Sequence, residues 1–254
     1  MNIFNLTQLV KEAGDILLSI REEGEFGTSL CEERKADGTL VTRADFASNE
    51  HLLLGLCSHF PNIAVVSEEN FYPATEYSSH FLIIDPLDGT QVYSDGLDEF
   101  SILIGEVREG EPYSGIMHFP ALKRTLLGSK EAQATMNSAR IEVSSQKTLK
   151  EASVSCRKCG DSSDSRVIAQ ELDSGFALMQ LATGQIDGVV IRMITHREWD
   201  IVAPTAVILA AGGMVSDESG SKITYQKKGI GFKFFVASNG HCHQEILDMI
   251  PQLL

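Results

Sequence analysis

Positive charge is what this 254-residue sequence has least of: 21 Lys and Arg stand against 35 Asp and Glu, a formal net charge of −14. A chain that acidic is a poor general binder of nucleic acid polymers or membrane surfaces, because both are polyanions. A small anionic substrate stays admissible where a bound cation supplies positive charge locally. Cysteine is sparse as well. Cys31, Cys57, Cys156, Cys159 and Cys242 are odd in number and scattered, so no disulfide framework is implied. The Cys156–Cys159 pair lacks a second pair at zinc spacing. No apolar run nears the roughly 18–20 residues of a spanning helix, and Met1-Asn2-Ile3-Phe4-Asn5 has no basic character. These absences lead to the expectation of a reducing, soluble, cytoplasmic setting. What is present is ordinary globular material, with 43% hydrophobic residues, 21 Gly and 7 Pro. A chain of this length buries about 70–75% of its unfolded surface.

Periodicity places a helix at the start, where Leu6, Leu9, Val10, Ala13, Leu17 and Ile20 share a face and Gly24 reads as a stop. A second helix is expected over 43–59, capped by Thr42 and followed by Pro61, with Phe46, Leu53 and Cys57 on its apolar face. The polar stretch 31–39 between them reads as a loop or irregular hairpin. Short apolar runs at 63–66 and 81–84 read as buried strands, and 101–105, 113–118 and 124–127 as a meander. The chain turns polar around 137–149. Beyond it, strands at 153–155, 188–191 and 234–237 alternate with helices at 176–183, 201–211 and 244–253. The fold class expected is α/β with an α+β N-terminal half. It divides into an N-terminal α+β subdomain, 1–140, and a C-terminal α/β subdomain, 141–254.

The most informative segment is Ile83-Ile84-Asp85-Pro86-Leu87-Asp88-Gly89-Thr90. An apolar strand ends in two carboxylates with a Pro between them and a Gly-Thr after. Such acids suit binding of a hard cation through oxygen better than packing, although a capped turn accounts equally for a bare D-x-x-D-G. Two further segments share the pattern. Val65-Val66-Ser67-Glu68-Glu69 is a strand ending in acids, and Trp199-Asp200 precedes an apolar helix closing on Gly212-Gly213. Asp200 alone reads as a helix N-cap, and Pro204 falls in that helix's first turn. Glu68, Asp85, Asp88 and Asp200 would repel one another on convergence unless cations neutralised them. A two-metal phosphoryl site needs such a cluster.

Together these segments resemble the inositol monophosphatase superfamily of magnesium-dependent, lithium-sensitive phosphatases. That superfamily carries a strand ending in E-E, then D-P-[IL]-D-G-T, then W-D before a helix closing in A-G-G. The stretch Lys35-Ala36-Asp37-Gly38-Thr39-Leu40-Val41-Thr42-Arg43-Ala44-Asp45 is similar to its K-x-D-x-x-x-V-T-x-A-D. The resemblance spans residues 5–240 and implies a layered αβαβα sandwich of the sugar-phosphatase type. It implies one Mg²⁺ on Glu68, Asp85 and the Leu87 carbonyl, a second on Asp85, Asp88 and Asp200, and a third, weaker ion near Glu68. Thr90, paired with Asp45, would orient and help deprotonate the attacking water, with Glu68 also in the catalytic set. The amides of Gly89 and Thr90 would hold phosphate oxygens. Lys35, Ser174, Arg192 and Asp200 would contact the substrate, and His196 and Arg197 would lie at the mouth of the site. A homodimer is implied too.

The substrate-contacting part departs from the pattern. The family's G-S-x is matched here by Asp173-Ser174-Gly175, or by 172–174 in another register, and Met193 replaces the Glu that binds inositol hydroxyls. Lys35 to Asp45 and Gly96-Leu97-Asp98-Glu99-Phe100 look more like the branch that removes the 3′-phosphate of adenosine bisphosphates, yet its G-S-S-L-K is absent and Leu40 replaces its Pro. The leading expectation is a Mg²⁺-dependent phosphomonoesterase acting on a small sugar or polyol phosphate. The alternatives are a 3′(2′),5′-bisphosphate nucleotidase and a phosphatase-like binding protein that has lost turnover.

Overall fold

The computed structural model describes residues 6–25, 33–35, 38–70, 79–157, 167–168, 173–194, 196–225 and 231–252. Cys31 and Cys159 lie outside them. The N-terminal half opens with α1 (Thr7–Glu25), a two-stranded hairpin of β1 (Glu33–Arg34) and β2 (Leu40–Val41), and α2 (Arg43–His59). A seven-stranded sheet follows in chain order: β3 (Ala64–Ser67), β4 (His80–Asp88), β5 (Ser101–Arg108), β6 (Glu111–Phe119), β7 (Arg124–Ser129), β8 (Ala132–Met136) and β9 (Ala139–Arg140). The short helix α3 (Thr90–Ser94) joins β4 to β5. Only β3 and β4 pair in parallel; the rest is an antiparallel meander.

The C-terminal half comprises β10 (Val154–Arg157), β11 (Val167–Ile168), α4 (Ser174–Ala182), β12 (Gly188–Arg192), α5 (Glu198–Ala210), β13 (Met214–Asp217), β14 (Phe234–Ser238) and α6 (His243–Met249). Its strands form a five-stranded sheet in the order β11-β10-β12-β14-β13. Cys156, buried on β10, is disulfide-bonded, which the scattered cysteine spacing and the expected reducing setting did not imply. Both nitrogens of the buried His243 are engaged, by Ser216 and Ser238 at 2.8 Å each, which ties α6 to β13 and β14. Among the described residues no helix is long and apolar enough to cross a membrane.

Strand alternation builds the layers. Leu82 and Ile84 of β4, with Ile102 and Ile104 of β5, pack against Leu9, Leu17, Leu52 and Leu56 of the first two helices. Their neighbours Phe81, Ile83 and Leu103 face the other way, onto Leu178 and Leu181 of α4 and Val202 and Val207 of α5. Val189 and Ile191 of β12 close this core from the far side. Val190 points outward to Ile246 and Met249 of α6. Helix pair, sheet, helix pair, sheet and helix stack as αβαβα, as the resemblance implies.

Two details differ from the sequence reading. α1 runs through Gly24 to Glu25 instead of stopping. The buried face of α2 is Ala44, Asp45, Ser48, Asn49, Leu52 and Leu56; Phe46 and Cys57 are exposed. Polar partners decide this face. Ser48 Oγ donates to the Pro86 carbonyl at 2.8 Å, and Asn49 joins Ser67 and Asn70 at 2.6 and 2.5 Å, so α2 turns its hydrogen-bonding side to the strand ends.

α5 lies unusually close to the seven-stranded sheet. Gly105, Gly115 and Gly128 are cross-strand neighbours on β5, β6 and β7. A Cβ on Gly115 would stand 2.3 Å from the Ala203 carbonyl oxygen, and one on Gly128 would stand 2.6 Å from the Val207 Cα. This side-chain-free track lets the helix backbone rest on the sheet and carries the start of α5 to the end of β4.

Candidate active site

β4 does not stop at Asp85; it runs on through Asp88. Residues three apart on a regular strand point to opposite faces. The pairing of β4 with β5 shifts register between Asp85 and Asp88, around the donor-less Pro86. That irregularity turns both carboxylates to one place. Asp200 joins them from α5, and oxygens of Asp85, Asp88 and Asp200 all lie within 4.8 Å of one another. Asp200 is the third residue of α5, which begins at Glu198, so it is no N-cap as such; its Oδ2 accepts the Arg197 N–H. Pro204 accordingly falls in the second turn, where its missing N–H cannot bond the Asp200 carbonyl.

The surrounding shell fixes these acids. Asp88 Oδ2 accepts from Ser101 Oγ at 2.9 Å and Asp85 Oδ1 from the Leu87 N–H at 3.0 Å. A Cβ at Gly175, on the first turn of α4, would stand 2.0 Å from Asp88 Oδ2, so only glycine fits there. Gly89 holds φ at 84° to start α3. Thr90 Oγ1 donates to Asp45 Oδ1 at 3.1 Å and lies 3.2 Å from the Leu87 carbonyl oxygen. Asp45 Oδ2 in turn accepts from the Thr42 N–H and hydroxyl at 2.7 and 2.8 Å, while the Thr42 hydroxyl accepts from the Ala44 N–H at 3.1 Å. The capping box at the start of α2 thereby also positions Thr90.

Crowding is visible in the acidities. Burial, then repulsion from Glu68, Asp88 and Asp200, holds Asp85 well above the usual carboxylate range. Asp200 is pushed up to about 7 by burial and the Glu68 charge. Asp45 rises to about 7, chiefly through burial and against its Thr42 hydrogen bonds. Glu69 is raised by burial while Lys35 opposes the shift. Buried, mutually repelling oxygen donors at this spacing fit a hard divalent cation.

These residues open onto a cleft of about 330 Å³ lined by Glu68, Asp85, Leu87, Asp88, Gly89 and Thr90 together with Asp173, Ser174, His196, Arg197, Trp199 and Asp200. Arg34, Thr39 and Leu40 of the first hairpin line it too. Lys35 is not in the lining; its Nζ bridges Glu68 and Glu69 at 2.7 Å each. Burial alone would lower its pKa, and those two carboxylates reverse that and hold it above its ordinary value. Arg192 is exposed at the end of β12 and is not in the lining either; Arg197 and Arg34 bring guanidinium groups there instead. Asp173 entered the sequence reading only as part of the stretch matched to the family's G-S-x, with no role of its own. The available signal was an Asp-Ser-Gly opening an apolar helix, the N-cap pattern, and Asp173 does cap α4 through the Gly175 N–H at 3.1 Å.

A five-layer αβαβα fold with a cluster of three converging carboxylates in its cleft is the arrangement of a metal-dependent phosphomonoesterase. The chain belongs to the inositol monophosphatase family, whose sequence pattern matches residues 3–250. It is 30% identical over 224 residues to the fructose-1,6-bisphosphatase/inositol-1-monophosphatase of Thermotoga maritima, covering 85% of this chain and 84% of that protein. It is 28% identical over 235 residues to the 3′(2′),5′-bisphosphate nucleotidase CysQ of Salmonella typhimurium, covering 86% and 91%. The solved structure of a Thermotoga maritima IMPase superposes with a TM-score of 0.84 at 27% identity, over 100% of this chain and 98% of that one.

Proposed function

We propose that the cleft hydrolyses a small sugar or polyol phosphate, with two or three Mg²⁺ ions held by Glu68, Asp85, the Leu87 carbonyl, Asp88 and Asp200. The observation that carries this reading is the convergence of Asp85, Asp88 and Asp200 within 4.8 Å. When bound, divalent ions acidify water and offset the charge of the phosphate and leaving alkoxide. The chain's own groups do the rest. Thr90 Oγ1, fixed by Asp45, orients the attacking water. Asp45 Oδ1 is the acceptor at the end of that hydrogen-bond chain, and its acidity near neutrality suits it to take a proton. Glu68 completes the acidic face on that side. The amides of Gly89 and Thr90 bind phosphate oxygens, while Ser174 and Asp200 face the alcohol. Lys35 acts by fixing Glu68 and Glu69.

A second reading is removal of the 3′-phosphate from adenosine 3′,5′-bisphosphate. It is favoured by two guanidinium groups, Arg34 and Arg197, in the lining, suited to a second phosphate. A homodimer, which rests on the family resemblance, and a cytoplasmic setting, which rests on the cysteine pattern and the lack of a long apolar run in the sequence, belong to the same proposal. Phosphate release from inositol 1-phosphate and adenosine 3′,5′-bisphosphate, each with and without Mg²⁺, tests it. Mg²⁺-dependent release, faster on the inositol ester, is expected. Faster release on the nucleotide selects the second reading, and no release on any small phosphate sinks both.

A further inference from the structure

A second cavity, of about 700 Å³, lies between α1 and the ends of β6 and β7 and shares no described lining residue with the catalytic cleft. One wall is a face of α1, along which Thr7, Lys11, Asp15 and Leu18 recur at helical spacing. The other wall comes from the sheet. Ile116 of β6 packs against the first two helices, so His118, two residues on, points the same way, as do Thr125 and Leu127 of β7. Gly14 lets α1 touch the end of β6: a Cβ there would stand 2.8 Å from His118 Nε2 and 2.9 Å from Pro120 Cγ.

The rim is fixed. Of the four non-glycine residues that hold positive φ among the described residues, Lys123, Asn137 and Ser138 all line this cavity. A Cβ makes that conformation unfavourable, and such strain gathers at functional sites. Asn137 ties the two turns together, accepting the Thr125 N–H at 2.9 Å and donating to the Lys123 carbonyl at 2.9 Å. Lys11 and Lys123 bring two ammonium groups, and neither makes an ion pair among the described residues. Asp15 is the one carboxylate of the described lining. His118 is 5% exposed, with Nδ1 2.9 Å from Thr125 Oγ1. Burial, with the Lys11 charge adding to it, pushes its pKa down to about 4, against the Arg124 backbone hydrogen bond and the Asp15 charge. The imidazole is therefore neutral at physiological pH, donating at one nitrogen and accepting at the other. Ammonium groups hold phosphate as point charges, whereas carboxylate, neutral imidazole and amide suit hydroxyls.

We propose that this cavity is a second ligand site that takes a small phosphate ester bearing free hydroxyls, with the phosphate on Lys11 and Lys123 and the hydroxyls on Asp15, His118 and Asn137. It stands independently of the hydrolytic reading.

Ribose 5-phosphate is the probe and unphosphorylated ribose the control. Both are titrated calorimetrically into the full chain in Mg²⁺-free buffer, where the converging carboxylates of the catalytic cleft repel an anion. One ribose 5-phosphate per chain is expected, with a Kd of about 0.1–1 mM, and no measurable heat from ribose. The double variant Lys11→Glu/Lys123→Glu changes two exposed side chains and should weaken binding at least about tenfold. Its Mg²⁺-dependent phosphate release should equal that of the wild type, since neither residue lines the catalytic cleft. No binding by the wild type, equal binding of ribose, or undiminished binding in the double variant overturns the proposal and leaves the phosphatase reading standing. Loss of phosphate release along with binding in that variant would place the ester in the catalytic cleft and also overturns it.

Discussion

At the scale of single residues, the site is held by contacts with little tolerance. Gly175 touches the Asp88 carboxylate so closely that a methyl group would stand 2.0 Å from Oδ2. Gly175→Ala should therefore push Asp88 out of the cluster, weakening Mn²⁺ binding about 10–100-fold. Isothermal titration checks this, with circular dichroism showing a retained fold. Wild-type affinity in that variant would mean that Asp88 is not a ligand. Asp88→Asn, which keeps the shape and removes the charge, should abolish Mg²⁺-dependent phosphate release while leaving the thermal transition in place. The acids themselves were legible in the sequence because the segments ending in Glu68-Glu69, Asp85 to Thr90 and Trp199-Asp200 occur together in the family's order; the D-P-L-D-G-T segment alone reads equally as a capped turn. Asp173 and Gly175 were not, since a capping Asp and a helical Gly look alike whether they face solvent or a metal centre.

At the scale of elements, the approach of α5 to the seven-stranded sheet sets the position of Asp200. Gly115→Val would drive a branched side chain into the Ala203 backbone, 2.3 Å from its carbonyl oxygen. A cost of about 1–3 kcal/mol is expected, with a matching fall in the urea midpoint and weaker metal binding through the displaced Asp200. An unchanged midpoint would show that the helix is free to shift without penalty. Helices were readable from periodicity and most strands from short apolar runs between turns, while β8 and β13 were not read. Nor was the face of α2. Its apolar residues suggested Phe46, Leu53 and Cys57 inward; Leu53 does pack against the core, but Phe46 and Cys57 are exposed, and the buried side joins Ala44, Leu52 and Leu56 to Asp45, Ser48 and Asn49, which bond Thr90, Pro86, Ser67 and Asn70. Hydrophobic patterning alone misses buried positions that are held by hydrogen bonds. The register shift in β4 was hidden for a similar reason: Pro86 marks it, but only the pairing with β5 shows that Asp85 and Asp88 end on one side.

At the scale of the whole molecule, the formal net charge is −14, and several of the acids behind it meet at this cleft. Asp45 and Asp200 titrate near 7 in the folded, metal-free protein, and Asp85 lies well above its ordinary value. In the unfolded chain the same groups lose their protons near pH 4. Between those limits the folded state holds more protons, so raising the pH from about 4 through 7 works against folding. Without divalent ions, the thermal midpoint should drop by on the order of 5–10 °C between pH 5 and pH 8. Mg²⁺, which binds the ionised carboxylates, should restore it most strongly at the high-pH end. A metal-free midpoint that rises over this range would contradict the burial of these groups. The layered architecture was legible through the family resemblance, and apolar runs buried on both faces of the strands are consistent with it. The cleft's character as a joint product of both halves was not, since Asp200 lies more than a hundred residues from Asp88 in the chain.

The most direct test is a crystal soaked in Mn²⁺ and measured at a wavelength where manganese scatters anomalously. The account predicts strong peaks enclosed by Asp85, Asp88, Asp200 and Glu68, beside the Leu87 carbonyl. Carboxylates turned apart, with no peak between them, would contradict it.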